Sequence, residues 1–164
     1  MIQKLIFVGG PPGVGKTTTC TELGRLLPNS IWIDGDDLWC RMNPFRADDD
    51  TIPMVEKNIA AVLGNFLDAG FGHVMLCWVL HSRDVIDGLV ERLSPRAFSF
   101  YSVTLICEEA VLRRRWALTH KDGFGVEHAC RRLTQARELP GTALVDTTAM
   151  TAVEAATAIA GVVA

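Results

Sequence analysis

One glycine-rich stretch near the start of the chain constrains its fold more than any other feature. Residues 7–19 read FVGGPPGVGKTTT, and the part from Gly10 to Thr17 fits the pattern G-x-x-x-x-G-K-[ST] at every fixed position. An apolar segment, KLIFV, precedes the pattern. Glycines let successive backbone N–H groups converge on one anion, and the positive end of a following helix adds to the attraction. The stretch therefore predicts a strand, a phosphate-binding loop and a helix, in that order.

The residue types within this loop predict a bound nucleoside triphosphate. Lys16 is expected to reach the β- and γ-phosphates, and the Thr17 hydroxyl to bind Mg²⁺. Thr18 either assists at the α-phosphate or is an ordinary residue of the first helical turn. The sequence contains no N-K-x-D motif, so nothing in it indicates a preference for a guanine nucleotide. The prediction is a Mg·ATP site formed by Gly10, Pro11, Pro12, Gly13, Val14, Gly15, Lys16, Thr17 and Thr18.

A second apolar segment, SIWI at residues 30–33, runs into the acidic sequence DGDD. Asp34 and Asp36 are two positions apart around a glycine, so they differ in direction and need not share a role. One is expected to face the Mg²⁺ held by Thr17, and the other to accept the proton of an acceptor hydroxyl. Asp37 is expected to begin a short helix over residues 38–42. The alternative is that the three carboxylates only cap that helix.

The rest of the chain alternates between short apolar runs and longer amphipathic stretches. Strands are predicted at residues 4–8, 30–33, 73–80, 99–107 and 143–145, and helices at 16–27, 53–69, 83–93, 109–118, 126–138 and 152–163. This alternation predicts an α/β fold with a parallel sheet covered on both faces. The 164 residues suit one domain over residues 1–164. The third predicted strand ends without a carboxylate, which argues against a motor ATPase.

The chain resembles the small P-loop kinases of the gluconate kinase and shikimate kinase type, in the wider nucleoside-monophosphate-kinase-like group. The matching motifs are GGPPGVGKTT, IDGDDL, VLRRRW and LVDTT. The resemblance implies a three-layer α/β/α fold, a five-stranded sheet in the order 2-3-1-4-5, a mobile lid and Mg·ATP as phosphate donor. It also implies that Asp34 lies near the metal and that Asp36 is the base. After the third strand the chain reads CWVLHSRD, unlike either named kinase, so neither substrate is implied.

Basic residues are predicted to act from the lid and the helix before it. Three consecutive arginines at positions 113–115 fan around their helix and cannot all face one ligand. The family position favours Arg115 as a catalytic phosphate contact, and one of the others is expected to pair with Glu108 or Glu109. The lid is predicted at about residues 119–127, where Lys121 either meets the transferring phosphate or lies in a solvated loop. By the resemblance, the loop with Thr147 passes near the adenine; the alternative is that Thr147 only caps the turn.

The acceptor is expected to bind between Asp36, residues 41–46 and the end of the third strand. Side chains suited to contact it are Asp36, Trp39, Arg41, Trp78, His81 and Arg83. A tryptophan on a strand can equally be part of the core, and His81 can be structural. The segment RADDD at residues 46–50 either caps the next helix or covers the acceptor.

The composition limits the classes of partner that we expect this chain to bind. The formal net charge is −3, whereas nucleic-acid-binding proteins are typically basic. No apolar run reaches the roughly 18 residues that a membrane span needs. The five cysteines form no C-x-x-C pair, which favours buried thiols in a reducing compartment. We expect a cytoplasmic protein, monomeric or homodimeric, with a small-molecule substrate, no membrane partner and no nucleic-acid partner.

Together these features predict an ATP-dependent phosphotransferase that moves the γ-phosphate to a hydroxyl of a small polar metabolite or antibiotic. One alternative is a nucleoside, nucleotide or polynucleotide 5′-hydroxyl kinase. Another is a nucleotide-binding regulatory ATPase, which has no need of a base facing an acceptor.

Overall fold

The computed structural model describes residues 2–119 and 125–164. Five strands form one parallel sheet: β1 (Gln3–Gly9), β2 (Ser30–Asp34), β3 (His73–Cys77), β4 (Phe98–Ile106) and β5 (Ala143–Asp146). Six α-helices connect or follow them: α1 (Lys16–Leu26), α2 (Thr51–Asp68), α3 (Arg83–Leu93), α4 (Glu109–Thr119), α5 (Val126–Glu138) and α6 (Ala152–Val162). The strand order is β2-β3-β1-β4-β5, which confirms the predicted order.

The sheet separates two hydrophobic cores. On one face, α1, α4, α5 and α6 pack against side chains such as Ile6 and Leu105. On the other face, α2 and α3 pack against side chains such as Phe7 and Leu76. Ile6 and Phe7 are adjacent and both fully buried. A strand covered on both faces has a continuous run of apolar residues, which is why the segment KLIFV predicted a buried strand.

The register of the central strands brings the chemistry to one edge of the sheet. Cys77 at the end of β3 pairs with Val8 of β1 and with Asp34 of β2. The glycine-rich loop that follows β1 and the carboxylates that follow β2 therefore emerge at the same level. This is the carboxyl edge, where ligands bind in open α/β sheets.

Three local expectations were wrong. The helix after β2 is a 3-10 turn over Gly35–Leu38, because the Asp34 side chain accepts a hydrogen bond from the Asp36 N–H and starts the turn directly after the strand. β3 ends at Cys77 instead of residue 80, since its neighbour β2 ends at Asp34. Cys40 is exposed, whereas the other four cysteines are buried.

Two features of the predicted helix starts are confirmed. Ser82 caps α3 by accepting a hydrogen bond from the Val85 N–H. At the start of α2, Asp48 of the RADDD segment accepts from the Thr51 N–H at 2.9 Å. No helix in the described ranges 2–119 and 125–164 is long and apolar enough to cross a membrane.

Candidate functional site

The loop between β1 and α1 requires its glycines. Gly10, Gly13 and Gly15 have φ values of 134°, 83° and 108°, in the region that L side chains rarely adopt. A Cβ at Gly10 would lie 2.6 Å from the Leu105 carbonyl oxygen, and one at Gly13 would lie 3.1 Å from the Trp116 ring. The loop is therefore pressed against β4 and α4, with its backbone held in one conformation.

The N-terminus of α1 lacks the groups that normally satisfy a helix start. No side chain caps it, and its first turn contains no acidic residue. By contrast, α6 begins with a complete capping box from Thr151 and Glu154. Lys16 reaches back across the loop and donates to the Pro11 carbonyl at 3.1 Å. A helix start without a capping acceptor, beside a lysine, is suited to an anionic ligand.

Thr17 and Asp34 meet directly. The Thr17 hydroxyl donates to the Asp34 carboxylate at 3.0 Å, while the other carboxylate oxygen accepts from the Asp36 N–H at 3.1 Å. Both are oxygen ligands of the kind that Mg²⁺ prefers, and Mg²⁺ in nucleotide sites commonly takes one or two protein oxygens plus phosphates. The described residues contain no larger His, Cys, Asp and Glu cluster suited to a metal. The pair therefore fits a Mg²⁺ completed by phosphate oxygens.

Asp36 is exposed, but its carboxylate is held by a buried tryptophan. The Trp78 indole N–H donates to Asp36 Oδ1 at 3.1 Å. The same indole packs so closely over Gly35 that a Cβ there would lie 2.6 Å from two ring carbons. Trp78 was predicted to contact the substrate, and the structure shows it in contact with the predicted base.

An aromatic cluster extends from Trp78. Trp39 lies edge-on to Trp78, with ring centroids 6.3 Å apart, and edge-on to Phe45, at 5.2 Å. The Trp39 indole N–H is buried and has no hydrogen-bond partner among the described residues. A small pocket of about 210 Å³ lies beside this cluster, lined by Asp37, Leu38, Trp39, Arg41, Met42 and Met54. The predicted contacts Trp39 and Arg41 thus share one pocket, in which Arg41 pairs with Asp37 at 3.1 Å.

A larger cavity of about 310 Å³ lies on the other side of the loop. Gly13, Gly15, Thr18, Arg115 and Thr147 line it, together with Leu118 and Met150. Leu118 and Met150 are exposed apolar side chains that the sequence analysis missed. An apolar lining next to a phosphate loop suits the flat face of a nucleotide base. The only sequence signal for them was position, since Leu118 precedes the predicted lid and Met150 follows LVDTT.

Arg115 joins the two walls of this cavity. Its guanidinium donates to the Val14 carbonyl at 3.0 Å and to the Thr147 carbonyl at 2.7 Å. Arg113 turns the other way and forms ion pairs with Glu109 and Glu127. The expectation that one of the three arginines pairs with Glu108 or Glu109 is confirmed by the ion pair between Arg113 and Glu109. Contact of Arg115 with phosphate stays a prediction.

The remaining predicted residues have different surroundings. Arg83 donates to Asp87 and to the Gly141 carbonyl, which ties α3 to the segment before β5. His81 lies near the Val79 carbonyl, 3.4 Å from its Nδ1. Lys121 and residues 120–124 of the predicted lid lie outside the described residues. The substrate role of Arg83 and His81 stays a prediction.

The thiols near the site are poor nucleophiles. Burial, with the Asp36 carboxylate nearby, raises the pKa of the Cys40 thiol to about 11. A hydrogen bond with Cys77, followed by burial, raises the pKa of Cys20 well above its ordinary value. Cys77 itself donates to Asp34 at 3.7 Å. Covalent chemistry at a thiolate is disfavoured here, because the thiolate is the reactive form.

A family described as "AAA domain" matches residues 6–123. The chain belongs to this family. The match spans the phosphate loop, both carboxylates and the helix with Arg115, so the AAA-domain assignment covers most of the site described above. No curated protein sequence matches this AAA-domain chain.

Solved structures share the fold over nearly the full chain. The Deinococcus radiodurans tunicamycin resistance protein is 22% identical, with 98% of this chain and 95% of that chain covered at a TM-score of 0.74. A gluconokinase from Sinorhizobium meliloti is 22% identical, with 99% and 94% covered at 0.71. The Mycobacterium tuberculosis APS kinase in complex with AMPPNP and APS is 16% identical, with 99% and 98% covered at 0.67. The AAA-domain chain therefore has the P-loop nucleotide-binding fold of small-molecule kinases.

Proposed function

We propose that this protein is a phosphotransferase that moves the γ-phosphate of Mg·ATP to a hydroxyl of a small polar molecule. The observation that carries the proposal is the separation of two carboxylates after β2. Asp34 bonds to Thr17 at the phosphate loop, whereas Asp36 bonds to Trp78 on the other side of the same turn. This separation supports a role for Asp34 at the metal and a role for Asp36 at an acceptor.

Each part of the site then has a defined task. The backbone of residues 10–15 and the uncapped start of α1 bind the phosphates, and Lys16 stabilises the charge that develops on them. Thr17 and Asp34 would hold the Mg²⁺, which neutralises charge on the β- and γ-phosphate oxygens. The adenine of ATP is enclosed by Leu118, Met150 and Thr147. Asp36 Oδ2, the oxygen that Trp78 does not hold, accepts the proton of the acceptor hydroxyl as it attacks.

The fold neighbours support a small acceptor without identifying it. They are a tunicamycin resistance protein, a gluconokinase and an APS kinase, and the chain is similar to them in fold. The pocket beside Trp39 has a volume of about 210 Å³, below the roughly 300–1,000 Å³ of typical ligand pockets, which favours a small acceptor. A regulatory ATPase has no use for the Asp36–Trp78 pair, which favours the kinase over that alternative.

The test measures ADP release from Mg·ATP, alone and with sugar acids, nucleosides, nucleotides and hydroxylated antibiotics. We expect one class to stimulate release, and Asp36→Asn to lower the stimulated kcat by about 10² or more while ATP binding is kept. Glu91→Gln, which removes an exposed carboxylate of α3 away from both pockets, is the control. Unchanged stimulated release in the Asp36→Asn protein would overturn the assignment of the base. Release that no class stimulates, and that survives Asp36→Asn, would favour the regulatory ATPase.

A further inference from the structure

The pocket beside Trp39 has mostly apolar walls. Leu38, Trp39 and Met42 come from the segment after β2, and Met54 comes from the first turn of α2. Met54 is 39% exposed, and Phe45, whose ring lies edge-on to Trp39, is 40% exposed. Large apolar side chains that gather in contact with solvent often mark a place that a ligand covers. The grouping therefore indicates a binding surface of apolar character.

This apolar pocket is joined directly to the predicted base. The Asp36 carbonyl accepts backbone hydrogen bonds from Trp39 at 3.3 Å and from Cys40 at 2.9 Å, so the pocket wall belongs to the same turn. Asp37, the next residue, lines the pocket itself. Trp78, which donates to the Asp36 carboxylate, lies edge-on to Trp39. A molecule in the pocket is therefore beside Asp36.

The charge around the pocket disfavours an anion. Residues 34–50 contain six aspartates and two arginines. Both arginines already pair with aspartates of the same segment, Arg41 with Asp37 at 3.1 Å and Arg46 with Asp48 at 3.7 Å. Among the residues that line the pocket, the only cation is Arg41, and Asp37 balances its charge. An anionic group brought here would meet an excess of carboxylates, and like charges repel.

We infer that the acceptor is a hydroxyl compound with an apolar, ring-bearing part and without an anionic group. The inference rests on the proposed function for the role of acceptor, and it narrows the class of molecule that receives the phosphate. The apolar part packs against Trp39 and Met54, since an indole and a thioether both make favourable contacts with rings. The hydroxyl then lies at Asp36. Its oxygen bonds to the γ-phosphorus, the bond from that phosphorus to the leaving oxygen of ADP breaks, and the carboxylate takes the proton.

Three matched probes test the two parts of the inference. Phenylethylene glycol has a ring, hydroxyls and no charge. Mandelate keeps the ring and one hydroxyl but adds a carboxylate, and propylene glycol keeps both hydroxyls but has a methyl group in place of the ring. Each is titrated into the protein with Mg²⁺ and a non-hydrolysable ATP analogue present, and the methyl resonances of isotope-labelled methionine are followed by NMR. Met42 and Met54 report on the pocket, and Met150 in the nucleotide cavity is the reference.

We expect phenylethylene glycol to shift the Met42 and Met54 resonances saturably and to leave that of Met150 unchanged. Propylene glycol should bind at least about tenfold more weakly, because a ring buries far more apolar surface than a methyl group. Mandelate should also bind at least about tenfold more weakly, because it brings a negative charge to the acidic segment. Failure of phenylethylene glycol to move either pocket resonance would overturn the inference. Equal affinity for propylene glycol or for mandelate would overturn it as well.

Variants at the pocket separate these contacts from changes elsewhere. Met54→Ala removes an exposed side chain and should weaken phenylethylene glycol by about fivefold, read from Met42. Leu144→Ala, at an exposed position of β5 on the far edge of the sheet, should leave the affinity unchanged. Asp37→Asn releases Arg41 from its ion pair, so mandelate should bind more tightly while phenylethylene glycol is unaffected. The inference is contradicted by a Met54→Ala protein that is folded by circular dichroism and keeps full affinity, or by an Asp37→Asn protein that gains none for mandelate.

Failure of the inference differs from failure of the proposed function. Binding of phenylethylene glycol should survive Asp36→Asn, because it does not need turnover. If this probe binds but no class of acceptor stimulates ADP release, the apolar pocket stands and the phosphotransferase proposal fails. If a sugar acid stimulates release and the probe moves neither pocket resonance, the phosphotransferase stands and this inference fails.

Discussion

The nucleotide side and the acceptor side of the candidate site are built from different materials. On the nucleotide side the ligand-facing groups are mostly backbone, held by glycines whose φ values exclude other residues and by an uncapped helix start. On the acceptor side they are side chains held by other side chains, such as Asp36 by Trp78 and Trp78 by Trp39. A backbone cradle depends on a few obligatory residues, whereas a side-chain cluster admits many combinations. The backbone cradle suits a nucleotide that is the same from one such kinase to the next. The side-chain cluster suits an acceptor that differs between them.

The largest expected effect tests the nucleotide side. Lys16→Ala should abolish measurable turnover and weaken Mg·ATP binding, because the phosphate charge loses the cation that spans the loop. Calorimetric binding of a non-hydrolysable analogue, with the ADP-release assay, checks both effects. Lys57→Ala removes an exposed lysine from α2 on the opposite face of the sheet and serves as the control. Normal turnover by Lys16→Ala would show that this loop is not the donor site.

The next effect tests the packing beneath the acceptor side. Gly35→Ala places a methyl group 2.6 Å from the Trp78 ring and must displace the indole or the turn. A shift of about 1 Å in a catalytic group can cost on the order of 10² in rate, so kcat should fall by about that factor. ATP affinity should change little, since Thr17 and Lys16 are untouched. Gly161→Ala, where nothing lies within 4 Å of the added carbon, is the matched control. A Gly35→Ala protein with unchanged kcat would contradict a positioned Asp36.

A smaller effect isolates the hydrogen bond between the indole and the base. Trp78→Phe keeps an aromatic ring but removes the N–H, and we expect kcat to fall by about tenfold with the KM for ATP unchanged. Trp32→Phe, on the opposite face of β2 from this cluster, controls for loss of an indole. A stability change without a change in kcat would make Trp78 only a core residue.

The smallest effect concerns the loop that closes the nucleotide cavity. Thr148 donates from its hydroxyl and its backbone N–H to Asp146, and these bonds lower the pKa of Asp146. A carboxyl group whose folded pKa is depressed stabilises the fold above its unfolded pKa of about 3.9, and this contribution is lost as the pH falls through the folded pKa. Asp146→Asn should therefore reduce the acid-induced loss of unfolding free energy between about pH 5 and pH 2. Urea titrations at several pH values measure it, and equal acid slopes would contradict the role of the carboxylate.

The contrast between the two sides also decides what the sequence could predict. The phosphate loop was readable because few residues other than glycine suit its positive φ angles and close contacts, so the residue types themselves specify the geometry. The strand order and the pairing of Thr17 with Asp34 followed from the same motif together with the family resemblance. Buried strands such as KLIFV were equally clear, since both of their faces are covered.

The acceptor side was only partly predictable. Asp36 was recognised by its spacing from Asp34, but nothing in the sequence indicated that Trp78 holds it, because the two residues are 42 positions apart. The 3-10 turn was mistaken for a longer helix, since the capping role of Asp34 depends on where the strand ends. Leu118 and Met150 were missed because an exposed apolar residue has no periodic signal.

The indole that holds Asp36 also gives the protein an optical reporter of its own chemistry. Of the four tryptophans, only Trp78 is hydrogen-bonded to a carboxylate in the part of the chain that the structure describes. We therefore expect its ultraviolet emission to change when a ligand contacts Asp36, without any attached dye. Mixing the protein with candidate acceptors in a stopped-flow fluorimeter thus follows their arrival at the site in real time, independently of whether a phosphate is transferred.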